Sequence, residues 1–350
     1  MSLTVLSVAY PLAPVGPDTA GGAEQILHRL DEALTKAGHR SIVVAQAGSR
    51  IAGELVPIPR EVTGLETAQE RAAFAVRRAV GRVLERMPVD LVHLHGIDFH
   101  RYLPPPGVPV LATLHLPLAW YPREALFPSR PATWLNGVSE AQMAAGPCSP
   151  AMLATIPNGI DTGALAIVCR KRGHVAALGR ICPEKGFHLA IDAARRAGTP
   201  LLLAGRVFDY AAHSAYHAAE ILPRLDARRR FLGPIGFRAK RRLMGTARAV
   251  LVPSLCAETT SLVALEAMAC GTPVIAFPNG ALPEVVEHGR TGFIVDDVAQ
   301  MAEAIAAADR IDPEACRAAA RRRFALEPMI ERYFHLYHQL SNAYAAELPA

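Results

Sequence analysis

Short apolar runs alternate with longer amphipathic stretches from one end of this chain to the other. A strand buried on both faces of a parallel sheet appears in a sequence as a continuous apolar run. The connection to the next parallel strand needs a dozen or more residues and is usually a helix. The alternation therefore predicts repeated β-α-β units, which form mostly parallel sheets with helices on both faces.

The apolar runs divide into two sets of six predicted strands. The first set covers residues 3–10, 41–46, 54–58, 91–95, 110–115 and 133–139. The second set covers residues 174–178, 201–204, 231–232, 249–253, 274–277 and 293–295. The clearest predicted helices are residues 23–37, 66–87 and 329–346. A length of 350 residues, 51% of them hydrophobic, is enough for two ordinary domains.

The predicted boundary between the two sets lies in residues 161–173, where periodicity is weak and three cations, Arg170, Lys171 and Arg172, stand together. We predict a first domain of residues 1–165, joined by a last helix of residues 328–350, and a second domain of residues 166–327. Open α/β sheets bind ligands beyond the carboxyl ends of their strands. Two Rossmann-like domains facing each other would therefore place the chemistry in the cleft between them.

Composition narrows the classes of function. No apolar run reaches the ~18 to 20 residues of a membrane-spanning helix, and the first residues lack a basic leader. The six cysteines form no CxxC pair, which argues against a zinc site or a disulfide framework and favours a reducing, cytoplasmic setting. The net charge of +5 favours anionic ligands or surfaces, or reflects a basic soluble protein.

The segment from Ala257 to Val274 carries two glutamates, Glu258 and Glu266, with seven residues between them. A predicted strand leads into the loop that holds Glu258, and a helix is expected to begin near Thr260. Helix N-termini offer free N–H groups and a positive dipole, which attract phosphate. Carboxylates beside such a site are suited to accept hydrogen bonds from hydroxyl groups. The segment therefore predicts a nucleotide-sugar pocket.

A second loop, residues 179–186 with the sequence GRICPEKG, also follows a predicted strand and leads into a helix. Arg180 and Lys185 on this loop are able to hold two phosphates, one through a planar fork of donors and one through a point charge. Taken alone, the sequence of this loop is equally consistent with a solvated basic turn. The Glu258 and Glu266 segment in the same half favours the functional interpretation.

Three further features are weaker. Gly21 and Gly22 precede the first long helix, but a full dinucleotide fingerprint is absent. His115 ends a predicted strand and is placed to contact a substrate hydroxyl, or else caps the strand. His93 and His95 share one face of a strand without a third metal ligand, so a structural role is favoured for His93, while His95 is placed to line the cleft.

Two other segments have a functional and a plain interpretation. Gly233, Pro234 and Ile235 follow a second-half strand, where backbone groups would receive a planar base or form an ordinary turn. Four arginines fall on one face of the helix over residues 66–87, opposite its valines, and either contact an anionic membrane surface weakly or form a solvated face. These are Arg71, Arg78, Arg82 and Arg86.

Taken together, these motifs resemble the family 4 glycosyltransferases with the GT-B fold. The matching segments are GGAE at 21–24, the TLH ending at His115, IPNGID at 156–161, GRICPEKG at 179–186 and the long run from Pro253 to residue 295. The resemblance covers nearly the whole chain. Where the family pattern places Glu-Pro-Phe-Gly, this chain has Glu258-Thr259-Thr260-Ser261, a difference that bears on the contacts with the donor sugar.

The resemblance implies a role for each matching residue. Arg180 and Lys185 would bind the donor diphosphate, and Glu266 the ribose. Glu258, with Thr259 and Thr260, would lie against the sugar. The remaining implied contacts are the N–H groups near Ser261 and Leu262 to the phosphates, Gly22 approaching closely from the first domain, and His115 to the sugar or the acceptor.

The expected function is transfer of a hexose from a nucleoside diphosphate sugar, with UDP expected as the nucleotide, to an unidentified small molecule, glycan or lipid. The resemblance implies retention of configuration, and we expect no metal or other cofactor. Alternatives are a GT-B epimerase or phosphorylase, or a non-catalytic protein that binds nucleotide sugars. Nucleic acid is not an expected partner, because the chain lacks a recognised motif and an aromatic platform.

Overall fold

A computed structural model describes residues 2–19, 21–60 and 65–347 of the chain. Ala20, beside the first glycine motif, and residues 348–350 of the predicted last helix lie outside this part. The chain divides into two compact units. The first comprises Met1–Pro157 and Glu327–Ala350, and the second comprises Asn158–Leu326. The sequence prediction placed its first boundary at residue 165 instead.

The first unit is built on a six-stranded sheet in the order β3-β2-β1-β4-β5-β6, and all neighbouring strands are parallel. Its strands are β1 (Thr4–Val8), β2 (Arg40–Gln46), β3 (Glu54–Ile58), β4 (Leu91–Leu94), β5 (Val110–Thr113) and β6 (Thr133–Asn136). Its helices are α1 (Gly22–Lys36), α2 (Leu65–Arg86), α3 (Arg123–Leu126) and α4 (Glu140–Ala144).

The second unit repeats the design with the strand order β12-β11-β10-β7-β8-β9, again parallel throughout. Its strands are β7 (Val175–Arg180), β8 (Leu201–Arg206), β9 (Arg229–Phe231), β10 (Val250–Val252), β11 (Val274–Ala276) and β12 (Gly292–Ile294). Its helices are α5 (Thr162–Leu165), α6 (Phe187–Arg196), α7 (Ala211–Tyr216), α8 (Phe237–Thr246), α9 (Leu262–Ala269), α10 (Leu282–Val285), α11 (Val298–Ala307) and α12 (Pro313–Phe324).

The last helix, α13 (Leu326–Glu347), contributes to the first unit. Its Tyr337 hydroxyl lies 2.8 Å from Nδ1 of His93 on β4, and both side chains are buried. The predicted α/β fold with two parallel-sheet domains and a returning last helix is confirmed.

Helix α2 shows how periodicity places one face on the sheet. Val76, Val80 and Val83 are buried, and they recur at the spacing of one helix face. The four predicted arginines of this helix are all exposed. Phe74 lies among them and is 56% exposed.

Among the predicted boundaries that the structure corrects, two bear on the candidate site. Strand β5 ends at Thr113, so His115 lies beyond the strand, because the side chain of Gln142 takes the carbonyl groups of Leu114 and Leu116. Helix α9 begins at Leu262 and not at Thr260. Ser261 precedes it with φ 66°, a left-handed conformation that cannot belong to a right-handed helix.

Candidate active site

The loop after β7 carries the two predicted phosphate-binding cations. Arg180 is the last residue of the strand, and Lys185 ends a short 3₁₀ turn over Pro183–Lys185. Gly186 then takes φ 61° before α6 begins, a conformation that glycine adopts without steric cost. The turn places Arg180 and Lys185 beyond the carboxyl end of the strand, where open α/β sheets bind ligands.

The loop after β10 holds this turn in position through backbone contacts. The N–H of Leu255, which follows β10, donates to the carbonyl of Glu184 at 2.8 Å. A Cβ added to Gly186 would lie 2.2 Å from the carbonyl oxygen of Pro253, closer than any real Cβ contact. The two loops therefore pack backbone against backbone, and only glycine at position 186 permits this approach.

Lys185 and Glu258 form a close ion pair. Lys185 Nζ lies 2.5 Å from Oε1 of Glu258, and the two side chains are 22% and 9% exposed. The hydroxyl of Ser254 donates to the same carboxylate oxygen. The carbonyl of Glu258 in turn accepts the N–H of Ala281 at 2.7 Å, which holds its backbone against the turn after β11.

The pKa of Glu258 reflects these opposing influences. Burial acts to raise the pKa of this carboxyl, but the Lys185 charge, hydrogen bonds from Lys185 and Ser254, and the Arg180 charge together bring it below its usual value. Glu258 is therefore ionised at neutral pH, and its negative charge is compensated by the two predicted phosphate-binding cations.

The N-terminus of α9 lies three residues beyond Glu258, and the stretch that leads into it holds four predicted ligand-binding residues. Ser261 is the N-cap residue, and its side chain makes no capping hydrogen bond. Leu262 begins the helix, so its N–H belongs to the first turn, where no intrahelical acceptor exists. Thr260 is buried, and its hydroxyl accepts from the side-chain amide of Asn158 at 3.2 Å. Thr259 is next to Glu258 in the same loop.

Glu266, the second glutamate, lies inside α9 and pairs with a residue that the sequence did not single out. Lys240 Nζ on α8 lies 2.5 Å from Oε1 of Glu266. Four cations stand within α8, so spacing alone does not mark the one that reaches Glu266. They are Arg238, Lys240, Arg241 and Arg242.

The segment predicted to receive a base follows β9. Gly233 has φ 71°, and its carbonyl accepts the N–H of Gly205 at the end of β8 at 2.9 Å. Ile235 packs against the core of the second unit, and Pro234 is exposed. Gly205 and Gly179 are paired in neighbouring strands, and a Cβ on Gly205 would meet the Gly179 carbonyl at 1.9 Å. These residues thus share one edge of the sheet with Arg180.

Two predicted site residues, Gly22 and His115, belong to the first unit. Gly22 is exposed and begins α1. His115 is buried, and its Nε2 lies 3.0 Å from Nδ1 of His95. Burial lowers the pKa of His115 to about 3, so its imidazole is neutral at physiological pH and acts through hydrogen bonds rather than charge.

A buried network next to this pair fixes the protonation of His93. The Thr113 hydroxyl donates to Asn136 Oδ1 at 2.7 Å, so its own oxygen must accept from His93 Nε2 at 2.8 Å. His93 therefore carries its proton on Nε2, and Nδ1 accepts from the Tyr337 hydroxyl. This arrangement agrees with the structural role predicted for His93.

One cluster offers ligands of the kinds that metals bind. Single atoms of Cys182, Glu184 and His213 all lie within 4.8 Å of one another. Burial raises the pKa of the Cys182 thiol to about 11, with smaller influences from its charged neighbours, so a metal would have to displace a firmly held proton. No helix in the described part of the chain is both long and apolar enough to cross a membrane.

Comparison with known proteins agrees with this fold. A family model described as "Glycosyltransferase Family 4" matches residues 20–164, and one described as "Glycosyl transferases group 1" matches residues 172–308. Together they cover most of the chain, one in each half. The chain belongs to the family 4 glycosyltransferases, which have the GT-B fold, and it is a hexosyltransferase.

Curated relatives lie within the same class. The chain is 28% identical to a phosphatidyl-myo-inositol mannosyltransferase of Mycobacterium tuberculosis over 324 residues, 81% of each chain. It is 27% identical to a glycogen synthase of the same organism, over 92% of this chain and 89% of the relative. Among solved structures, Anabaena HepE in complex with UDP and glucose has a TM-score of 0.75 at 20% identity, covering 95% of this chain and 99% of HepE.

Proposed function

We propose that this chain transfers a hexose from a UDP-sugar to an acceptor with retention of anomeric configuration and without a metal ion. The observation that carries the proposal is the Lys185–Glu258 ion pair, at 2.5 Å, beside the N-terminus of α9. Cationic groups and free N–H donors at one point suit a diphosphate, and the carboxylate beside them suits the hydroxyl groups of a sugar.

The proposed division of roles follows the contacts. Arg180 and Lys185, with the N–H groups of Ser261 and Leu262, hold the diphosphate. Glu266 accepts hydrogen bonds from the ribose, and Lys240 fixes the direction of its carboxylate. Two segments of the second unit complete its part of the assignment: Glu258, Thr259 and Thr260 for the sugar, and Gly233, Pro234 and Ile235 for the base. For Gly22 and His115 the proposed roles are those that the family resemblance implies, contact with the diphosphate and with the sugar or the acceptor.

Leaving-group stabilisation is the proposed source of rate enhancement. When the bond between the sugar and the diphosphate breaks, negative charge grows on the diphosphate, and Arg180, Lys185 and the α9 dipole oppose it. Glu258 is a poor candidate for a nucleophile, because Lys185 and Ser254 already engage its carboxylate. The proposal is therefore same-face attack by the acceptor, with its proton passing to the leaving phosphate. The anomeric configuration of the product, read by NMR, tests retention.

Turnover of Lys185→Ala and Arg180→Ala tests the site. Loss of one stabilising donor lowers a rate by about 10²–10³. We expect each variant to keep the circular dichroism of the wild type and to lose UDP-sugar hydrolysis by that factor. Arg230→Ala, which removes an exposed arginine of the same unit, should keep its rate. Wild-type hydrolysis in both site variants would refute the assignment, and no hydrolysis in the wild type would favour the non-catalytic alternative.

The donor and the acceptor have separate support. HepE has been solved with UDP and glucose, and one curated relative is named for a phosphatidyl-myo-inositol acceptor. A thermal-shift screen against UDP, GDP and ADP, each alone and as its hexose derivative, identifies the donor, because a ligand of the folded state raises its stability. A larger shift with GDP or ADP than with UDP would overturn the UDP assignment.

Metal independence is proposed because the cations of the site are already supplied by the chain. The rate should be unchanged by a chelator and by added Mg²⁺ or Mn²⁺. A chelator-sensitive rate restored by one of these ions would contradict the proposal. Removal of the Cys182 ligand by Cys182→Ser then distinguishes an ion at the cluster of Cys182, Glu184 and His213 from an ion elsewhere.

We also propose a cytoplasmic protein with weak contact to anionic membranes. All six cysteines are free, as a reducing compartment requires. Phe74 is exposed on α2, and Arg78 lies over its ring at 5.8 Å, a combination suited to an interface of apolar tails and anionic headgroups. Co-sedimentation with phosphatidylglycerol vesicles should fall for Phe74→Ser with Arg78→Gln. Equal binding to neutral phosphatidylcholine vesicles would contradict an electrostatic contact.

A further inference from the structure

The basic cluster at residues 170–172 borders a cavity of about 650 Å³ in the second unit. Its charged lining consists of Arg170, Lys171, Arg172 and Arg242, and the remaining lining is Cys169, Gly173 and Thr246. We propose that this cavity is a second anion site, which binds a doubly charged phosphate monoester. The donor site described above does not use any of these residues.

The first support is an excess of positive charge. No carboxylate oxygen lies within 4.0 Å of a cationic nitrogen of the four lining residues in the described part of the chain. Other cations nearby are paired, since Arg248 lies 2.8 Å from Asp309 and Arg317 lies 2.8 Å from Glu314. Unpaired cations that converge on a concavity repel each other, and a bound anion removes the repulsion.

The second support is the position of Lys171, which is half-buried. Its Nζ donates to Oγ1 of Thr272 at 2.6 Å, and the Thr272 hydroxyl donates to the carbonyl of Met244 at 2.7 Å. Thr272 must therefore be an acceptor for Lys171. An ammonium has three donors, and Thr272 is the one hydrogen-bond acceptor of Lys171 among the residues that the structure describes.

The charges that face Lys171 do not compensate it. The neighbours that influence its ammonium are Arg317 and three thiols, those of Cys316, Cys270 and Cys169. The Lys171 charge also acts on His174, whose pKa is lowered chiefly by burial, so this imidazole supplies no negative charge either. Burial holds the pKa values of Cys316 and Cys270 at about 12, so these two thiols are neutral. Burial lowers the pKa of Lys171 itself to about 8. An anion in the cavity would supply the missing negative charge.

The cavity lies at the amino ends of the strands, at the opposite edge of the sheet from the donor residues. Residues 169–173 lead into β7, whereas Arg180 ends that strand. Arg242 and Thr246 stand near the end of α8, and the N–H of Arg172 donates to the Thr246 carbonyl at 2.7 Å. The same helix carries Lys240, the partner of Glu266, so one element borders both sites.

The test uses glycerol 3-phosphate as the probe. The background protein is the double variant Arg180→Gln with Lys185→Gln, which lacks the two proposed diphosphate-binding cations of the donor site. Arg170, Arg172 and Arg242, all exposed, are changed to Gln in one variant. A matched control changes Arg196, Arg230 and Arg310, exposed arginines of the same unit. Calorimetric titration should show binding that is weakened on the order of tenfold or more in the first variant and unchanged in the control, because the first variant loses charge-assisted hydrogen bonds to the phosphate.

Vesicles with phosphatidic acid separate the two sources of a phosphate monoester. Binding of the vesicles by the background protein, lost in the cavity variant, identifies a lipid headgroup. Binding of glycerol 3-phosphate alone identifies a free metabolite, and either result supports the site. Equal affinity in the cavity variant, the control and the background would overturn the proposal, as would binding to neither probe.

The pH dependence of the affinity for glycerol 3-phosphate provides a second readout. A general effect of the net charge would not produce this dependence. Above about pH 8 the free site loses the Lys171 proton while the phosphate stays doubly charged, so binding should weaken up to about tenfold per pH unit. Lys171→Arg, whose guanidinium stays charged, should remove this dependence. A flat profile of the background protein between pH 8 and about 9.5 would overturn the role of Lys171.

Discussion

Ser261 has a backbone conformation that non-glycine residues rarely adopt, with φ 66° and ψ 79°. The left-handed conformation costs an L-residue roughly 1–2 kcal/mol, and the family pattern has glycine at this position. Strain of this kind persists only where the surrounding structure imposes it, and it occurs often at functional sites. The chain therefore keeps a side chain at the N-terminus of α9 at an energetic cost.

Replacement of this serine should stabilise the protein. Ser261→Gly removes the strain but loosens the unfolded chain, so we expect the free energy of unfolding to rise by about 0.5–1 kcal/mol. Urea denaturation measures the change. Ser214→Gly, at an exposed position inside α7, should have the opposite sign because glycine weakens a helix interior. Destabilisation by Ser261→Gly would show that the serine hydroxyl stabilises the folded protein by more than the backbone strain destabilises it.

The Lys185–Glu258 pair predicts a pH-dependent stability. The folded pKa of Glu258 lies below its usual value of 4.5, so its contribution is present above that pH and is lost as the pH falls through the folded pKa. Lys185→Met leaves burial opposed only by Ser254 and Arg180, and the pKa of Glu258 should rise.

We therefore expect Lys185→Met to cost about 3 kcal/mol at pH 7 and progressively less towards about pH 4, where the carboxyl is protonated. Thermal unfolding across this range measures the difference from the wild type. Lys36→Met, an exposed lysine at the end of α1, should show no such trend. A loss of stability that is the same at every pH would mean that the ionisation of Glu258 does not depend on the Lys185 charge.

The backbone of Gly186 makes a close contact with Pro253, next to the turn over Pro183–Lys185. Gly186→Ala combines a strained φ with a clash, whereas Gly198→Ala combines the same φ of 61° with open space. We expect the first change to lower turnover on the order of 10²-fold by displacing Lys185, and the second to leave turnover unchanged. Equal rates in the two variants would show that the contact between Gly186 and Pro253 does not determine the position of Lys185.

The elements also show how far the sequence predicts the molecule. In the part of the chain that the structure describes, apolar runs identified most strands, because a buried parallel strand is apolar on both faces. The exception is β9, whose sequence Arg229-Arg230-Phe231 is largely charged and which the prediction overlapped at Phe231 alone. The start of α9 was missed, since the conformation of Ser261 depends on the packing of its loop. Lys240 was missed because cations of one helix look alike in sequence. The partners of His93 lie 20 and 244 residues away along the chain, a separation that no local pattern encodes.

At the scale of the whole molecule, the first unit is assembled from two separate stretches of chain, because α13 returns to it. Tyr337 and Tyr333 of this helix are fully buried and reach His93, Thr113 and Asn136. An unsatisfied buried group costs about 1–3 kcal/mol, so the last helix is needed for the network of the first unit.

Tyr337→Phe should therefore weaken one unit and spare the other. It leaves Nδ1 of His93 without its donor, and amide hydrogen exchange should quicken throughout β4 and β5 but remain unchanged in β7 and β10. Tyr344→Phe, on the same helix, serves as the control. Uniform acceleration in both units would show that they unfold together.

The return of α13 also bears on synthesis at the ribosome. The second unit is encoded without interruption, whereas the first begins before it and is completed by α13, which is translated after it. The part that emerges first is thus the part that finishes last, the reverse of the usual order in which domains mature from the N-terminus. Until α13 is made, the side chains of His93, Thr113 and Asn136 lack its tyrosines, so nascent chains stalled before residue 333 should require chaperone protection that chains containing α13 do not.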